Sequence, residues 1–158
     1  MLSFPEHFKI VDGLQPAADA AGRTGRYVNL KNCTMVHVLV TLDQGNAATV
    51  ALTPYQATAV AGTAEKVLAN AVQIWANQDT ATSDALVRQT DAVNFTTSAA
   101  VKRKQVLFQI DPALLDVEGG FDSITLKTGA SNAANITQCT YFLRTRYSQQ
   151  VPPSAIVD

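Results

Sequence analysis

The sequence predicts a mainly β protein: an antiparallel β-sandwich or jelly-roll-like barrel with one or two short helical turns and extended terminal arms. Three observations carry that expectation. Apolar and polar residues alternate with a period of two in several segments, the signature of strands buried on one face. Gly, Asn, Asp and Pro separate those segments at short intervals, as in sandwiches and barrels. Helical signals are confined to two short stretches.

In chain order, YVNLK (27–31) is a short candidate strand. In MVHVLVTL, Val36, Val38, Val40 and Leu42 share one face while His37 and Thr41 share the other. TVAL (49–52) follows. Thr53-Pro54-Tyr55-Gln56 has the form of a capping box with Pro at the first helical position, and the β-branched residues and Gly of ATAVAGT limit it to a short helix or a turn. VQIWA (72–76), ALVRQ (85–89) and AVNFT (92–96) are further short candidates. In KQVLFQI, Val106, Phe108 and Ile110 alternate with Gln105, Leu107 and Gln109. Asp111 and Pro112 supply an N-cap and a first helical residue, and Gly119-Gly120 ends the helical turns expected over 112–118. Ile124 and Leu126 alternate around Thr125. QCTYFLRTRY places Cys139, Tyr141, Leu143 and Tyr147 on one face and Gln138, Thr140, Phe142, Arg144 and Arg146 on the other.

A chain of 158 residues fits one domain with a sizeable core. Residues 13–25, GLQPAADAAGRTG, lack aliphatic alternation, so 1–25 reads as an N-terminal arm or leader, 26–147 as the sandwich and 148–158 as a C-terminal extended arm. Pro152 and Pro153 bar a central strand there, while Val151, Ile156 and Val157 give the arm apolar surface to bury. Two stretches echo each other: GNAATV at 45–50 and SNAANI at 131–136. Gly-Asn and Ser-Asn tolerate tight turns, and both stretches read as hairpin connections.

Charged residues make up only 16% of the chain and hydrophobic ones 47%, so Thr, Gln, Asn and Ser supply most of the polar surface. Such a weakly charged surface repels neighbours poorly and suits a protein packed against others. A net charge of −1 argues against nucleic acid as a partner, which needs a basic field. MLSFPEHFKIVDG shows no basic leader and no apolar run of signal-peptide length, and no segment has the roughly 18 apolar residues of a membrane span. Synthesis in a cytoplasm and no membrane partner are the expectation. Cys33 and Cys139, both in candidate strands, are expected as buried free thiols.

Catalytic and metal chemistry find little support. Cys33 and His37 would share a strand face, but a zinc site needs two more ligands, and His7, the other histidine, lies in the leader. Asp79, Asp84, Asp91, Asp111, Asp116, Glu118 and Asp122 sit at strand ends and turns, where carboxylates cap backbone donors. No G-x-S-x-G, P-loop or G-x-G-x-x-G motif occurs. Lys102-Arg103-Lys104 reads as a solvated or edge-protecting run. The three N-x-T sequons at Asn32, Asn94 and Asn135 follow from Thr-rich strands after Asn turns. Trp75 reads first as core, with an outward-facing partner anchor as the alternative. The expectation is a non-enzyme without a cofactor or metal.

The stretches LQPAADAAGRTGRYVNLKN, QGNAATVALTPYQATAVAGTAEK, IWANQDTATSDALVRQTDA and GFDSITLKTGASNAANITQCTYFLRTRY resemble small virion structural proteins of tailed bacteriophages. The likeness runs from about residue 14 to the end and includes the close on Arg146-Tyr147. It implies a head decoration (cement) protein on the capsid surface, with the major capsid protein as partner. A head–tail connector or tail component is the alternative within that setting. Three-fold positions on shells suggest a homo-oligomer, with a trimer as the guess. The expected partner contacts are Phe4, Phe8, Trp75, Val151, Pro152, Pro153 and Ile156. Two other readings remain: a carbohydrate-binding sandwich using Trp75, Tyr55, Tyr27 and Phe142, and a hydrolase with a carboxylate pair.

Overall fold

The computed structural model describes residues 3–158, so the first two residues of the expected arm lie outside it. Among the described residues, twelve strands form two antiparallel sheets stacked as a sandwich. The large sheet runs in the order β1 (Phe8–Ala18), β12 (Asn135–Thr145), β4 (Cys33–Gln44), β10 (Arg103–Ile110), β7 (Gln73–Asn77) and β8 (Val87–Arg88). The small sheet has the order β2 (Arg23–Thr24), β11 (Ser123–Thr128), β5 (Ala51–Ala57) and β6 (Lys66–Val67), with β3 (Val28–Asn29) beside β11 and β9 (Phe95–Thr96) beside β5. The mainly β sandwich expected from alternation is what the chain forms.

Alternation decides which faces meet. Val36, Val38, Val40 and Leu42 of β4, Val106, Phe108 and Ile110 of β10, and Cys139, Tyr141 and Leu143 of β12 are all buried. They pack in one core with Leu52 of β5 and Ile124 and Leu126 of β11. Each large aliphatic or aromatic side chain so buried contributes roughly 1.5–3 kcal/mol. Lys104 shares the inward parity of Val106, and it is fully buried, which corrects its reading as part of a solvated run. Its ammonium donates to Gln44 Oε1 (2.8 Å), Ser98 O (2.5 Å) and Ser98 Oγ (3.1 Å), and burial lowers its pKa. Lys102 and Arg103 do face outward, against Asp79 and Asp43.

Local signals misled in three places. Thr53-Pro54-Tyr55-Gln56 is strand, not helix: Pro54 lies opposite Leu126, whose amide and carbonyl bond away from β5, to Tyr141 and Gly25. Pro54 therefore removes no ladder bond, and pairing with β11 overrides the capping pattern. The helical turns expected over 112–118 shrink to a 3-10 helix at Pro112–Leu114, with Asp111 accepting from the Ala113 amide at 2.9 Å. The residues of the expected N-terminal arm are largely strand: β1 pairs with β12 from Phe8↔Arg144 to Ala18↔Ile136. Before it comes a helical turn, α1 (Phe4–His7), whose start at Ser3 and Glu6 has the S-x-x-E form.

The two echoed loops are not hairpins. β4 leads to β5 and β11 leads to β12, so each loop carries the chain between sheets. Because β4 pairs β12 and β5 pairs β11, the crossings lie side by side. Both use the same Asx turn: Asn46 Oδ1 accepts from the Ala48 amide and Asn132 Oδ1 from the Ala134 amide, each at 2.9 Å. The loops also bond to each other, through Asn46 N to Asn135 Oδ1 (2.9 Å) and Asn135 Nδ2 to Ala48 O (2.8 Å).

At this end of the sandwich Asp19 is fully buried. Its Oδ1 accepts from Arg23 Nε and Thr128 Oγ1, both at 2.9 Å, and its Oδ2 from Thr137 Oγ1. Arg23 Nη2 donates in turn to Thr137 O at 2.6 Å, and Nη1 to Gln15 O at 2.9 Å. One carboxylate thus joins β1, β2, β11 and β12. Deeper in the core, the Leu126 amide, which finds no strand acceptor beside Gly25, donates to Tyr141 Oη at 2.9 Å. Gly13 and Gly25 make room for that ring: a Cβ on Gly13 would lie 2.5 Å from Cys139 Sγ and 2.7 Å from the Tyr141 ring, and one on Gly25 2.9 Å from Tyr141 Oη.

Two stability predictions follow from these ties. Asp19→Ala leaves the Arg23 guanidinium and two Thr hydroxyls without their shared acceptor and should lower unfolding free energy by about 3 kcal/mol in urea titration. Tyr141→Phe strands the buried Leu126 amide and should lower it by about 1–2 kcal/mol, with little change in packing volume.

Candidate interaction surface

The second parity of the large sheet builds an outward face that is apolar along a stripe. In register across the strands, Ile10, Phe142, His37 and Gln109 form one row, and Thr140, Leu39, Leu107 and Trp75 the next. Phe8, Arg144 and Met35 form a third at the edge near α1. α1 folds over this corner, stacking Phe4 on Phe8 (centroids 4.6 Å) and setting Phe4 edge-on to Phe142 (6.0 Å). Phe4 stays 52% exposed and Ile10 49%. At the far end Trp75 lies on the outer face, half-buried beside Leu107, with the Arg88 guanidinium 5.7 Å from its ring. The core reading of Trp75 is thereby corrected.

Three of the expected contact residues, Phe4, Phe8 and Trp75, therefore share one face. The other four lie in the C-terminal segment, which runs against the sandwich beside β3. Lys9 Nζ donates to Pro152 O (3.1 Å), the Asn29 amide to Ala155 O (2.7 Å), Asn29 Nδ2 to Val157 O (2.5 Å) and the Val60 amide to Asp158 Oδ1 (3.1 Å). Pro152 is buried by its own domain, whereas Val151, Pro153 and Ile156 remain exposed. Sequence reading missed Ile10, Met35, Leu39 and Leu107 as parts of this surface, and offered Phe142 only as an aromatic for a sugar. Their signal was present: apolar residues on the outward parity of otherwise amphipathic strands.

His37 sits at the centre of the aromatic corner, its ring 6.2 Å from that of Phe8. Its Nδ1 is buried without a hydrogen-bond partner. Burial, then the nearby Arg144 charge, lowers its pKa below 6.5. The two cysteines are buried and free, and burial pushes Cys33 up to about 11 and Cys139 up to about 12, so both stay as thiols at neutral pH. Among the described residues, no group of three or more His, Cys, Asp or Glu side chains is placed to hold a metal.

At the end of the sandwich where β12 stops there are two adjoining hollows. One, of about 460 Å³, is walled by Leu30, Ala113, Leu115, Val117 and Phe121. The other, of about 520 Å³, is lined by His7, Thr34, Arg144, Thr145, Arg146 and Ser148. Thr34 and Arg146 border both.

Fold and surface together define an antiparallel two-sheet sandwich with one apolar outer face. No protein-family model matches the sequence, and neither does any curated protein. Among solved structures, the crystal structure of SPBc2 prophage-derived protein YomS is similar to this chain at 10% identity and a TM-score of 0.47, covering 86% of this chain and 92% of that one.

The lowered pKa of His37 has a definite sign in stability. As pH falls, the unfolded chain takes up the proton first, so the contribution of His37 is complete above pH 6.5 and is lost as pH drops through the folded value. The urea midpoint should fall between about pH 7 and pH 5, and His37→Gln should flatten that fall.

Proposed function

We propose that this chain is a non-enzymatic structural protein of a phage particle, a decoration protein that binds the shell of major capsid protein through the outer face of its large sheet. The observation that carries this reading is the apolar stripe from Phe4, Phe8, Ile10 and Phe142 to Trp75, in which Phe4 and Ile10 are exposed and the others half-buried. The resemblance of residues 14 onward to tailed-phage virion proteins supplies the setting. Low net charge suits a protein crowded among many copies. Repetition of the contact over a shell makes modest affinity per copy sufficient. In this reading the chain is homo-oligomeric, a trimer matching three-fold shell positions, which light scattering on the purified protein tests.

The structure gives the carbohydrate reading less to work with. Trp75 and Phe142 are on the outer face of the large sheet, whereas Tyr55 is on the outer parity of β5 under Lys127 and Tyr27 bonds to Glu65. The four aromatics do not form one platform.

Co-sedimentation with undecorated shells tests the proposal. Phe8→Ser with Ile10→Ser should leave the fold intact and reduce occupancy at least about tenfold at subsaturating protein, since each removes apolar contact area. Occupancy equal to that of the unaltered protein would sink the assignment of this face. Deleting residues 148–158 is expected to weaken binding as well. It also uncovers Asn29 and Lys9, so it should lower stability, and the point variants are the cleaner test.

A further inference from the structure

We infer that the paired hollows at the end of β12 form one binding groove for an extended peptide segment carrying an apolar side chain and a nearby carboxylate, supplied by the shell protein. This deepens the shell-binding reading and rests on it for the source of the segment.

The charge in the groove is what points to its ligand. Arg144 and Arg146 stand two residues apart, and neither pairs with a carboxylate among the described residues, unlike Arg23, Arg88 and Arg103. Two acidic groups border the apolar side. Asp122 holds Lys31 at 3.5 Å and accepts from Ser123 Oγ at 2.8 Å, and Asp111 accepts from the Ala113 amide at 2.9 Å. Asp111 keeps its negative charge, but across the two hollows Arg144 and Arg146 outweigh it, and the net positive charge sits on guanidinium groups, whose planar fork matches a carboxylate in two bonds at once.

The apolar half gives the second requirement. Leu115 and Phe121 are buried at its base, while Val117 at its rim is 62% exposed. A hollow of about 460 Å³ is large enough for a Leu, Ile, Met or Phe side chain with its backbone. An extended chain repeats its side-chain direction every second residue, about 6.6–6.8 Å apart. A strand-like segment can thus set one or two carboxylates on Arg144 and Arg146 while its apolar residue enters beside Leu115. Position supports the same source: Arg144 lies in register with Phe8 and Met35 at the edge of the apolar stripe, so a partner covering that face reaches the groove.

A random heptapeptide display library, selected on the folded protein, tests the groove without any shell. Enriched peptides should carry Asp or Glu within two or three residues of Leu, Ile, Met or Phe. They should lose at least about tenfold in affinity on Arg144→Gln/Arg146→Gln and on Val117→Asp. All three positions are exposed, so the variants keep the fold, as circular dichroism would verify. No enrichment, enrichment without acidic residues, or equal binding to the variants overturns the inference. The same variants are then sedimented with undecorated shells. Shell binding that survives Arg144→Gln/Arg146→Gln unchanged overturns the groove while leaving shell binding intact. Acidic–apolar peptides that bind, with no shell binding by the unaltered protein, uphold the peptide chemistry and overturn the shell as its source.

Discussion

The buried carboxylate of Asp19 is the constraint around which the two sheets are arranged. A carboxylate removed from water needs opposite charge and donors on its oxygens, or it opposes folding by several kcal/mol. Here Arg23, Thr128 and Thr137 meet that need, and they come from β2, β11 and β12. For Arg23 to reach back, the segment from Ala18 to Arg23 must fold sharply, which takes the chain from the edge of the large sheet to the edge of the small one. β1 is thereby held against β12, and its register with β12 determines where Phe8 and Ile10 appear on the outer face. A buried charge at one end of the sandwich thus helps set the composition of a surface at the other.

The paired crossings give a second instance of polar groups organising a β core. Two loops of similar sequence adopt the same Asx turn because each begins at an Asn whose side chain can take the place of a backbone carbonyl. Asn135, two residues beyond Ala133 in the second loop, has no counterpart of the same kind in the first; it is buried and spans the gap to Asn46 and Ala48. The echo in the sequence therefore reflects two neighbours doing the same job in contact, not a duplicated domain.

Much of the fold was legible where one face of a strand is uniformly apolar, as in MVHVLVTL, KQVLFQI and the segment from Cys139 to Leu143. β1 was not, because register shifts between Asp12 and Leu14 and between Leu14 and Ala17 break its parity. The helix-like pattern at Thr53-Pro54-Tyr55-Gln56 failed because local capping chemistry is weaker than pairing along six residues of β11. Lys104 was grouped with its basic neighbours, although its parity with Val106 already pointed inward. Of the surface, Phe4, Phe8 and Trp75 could be chosen from the sequence, but their sharing one face depends on the strand order. The groove was invisible for a related reason: Arg144, Leu115 and Thr34 are far apart in the chain and come near one another only where β12 ends beside the start of β4.

The adjacency of β1 and β12 also bears on how the chain reaches this state. In chain order β1, which shields one side of β12, is the first of the twelve strands and β12 the last, with β4 (Cys33–Gln44) on its other side. The large sheet cannot be completed until residue 145 has left the ribosome, and pairings that span most of the chain close slowly because of the loop entropy they remove. Until then β1 and β4 have no strand between them, and their apolar faces are open to other chains. Closure of the large sheet thus waits on the whole span from β1 to β12, and aggregation competes with it in the meantime.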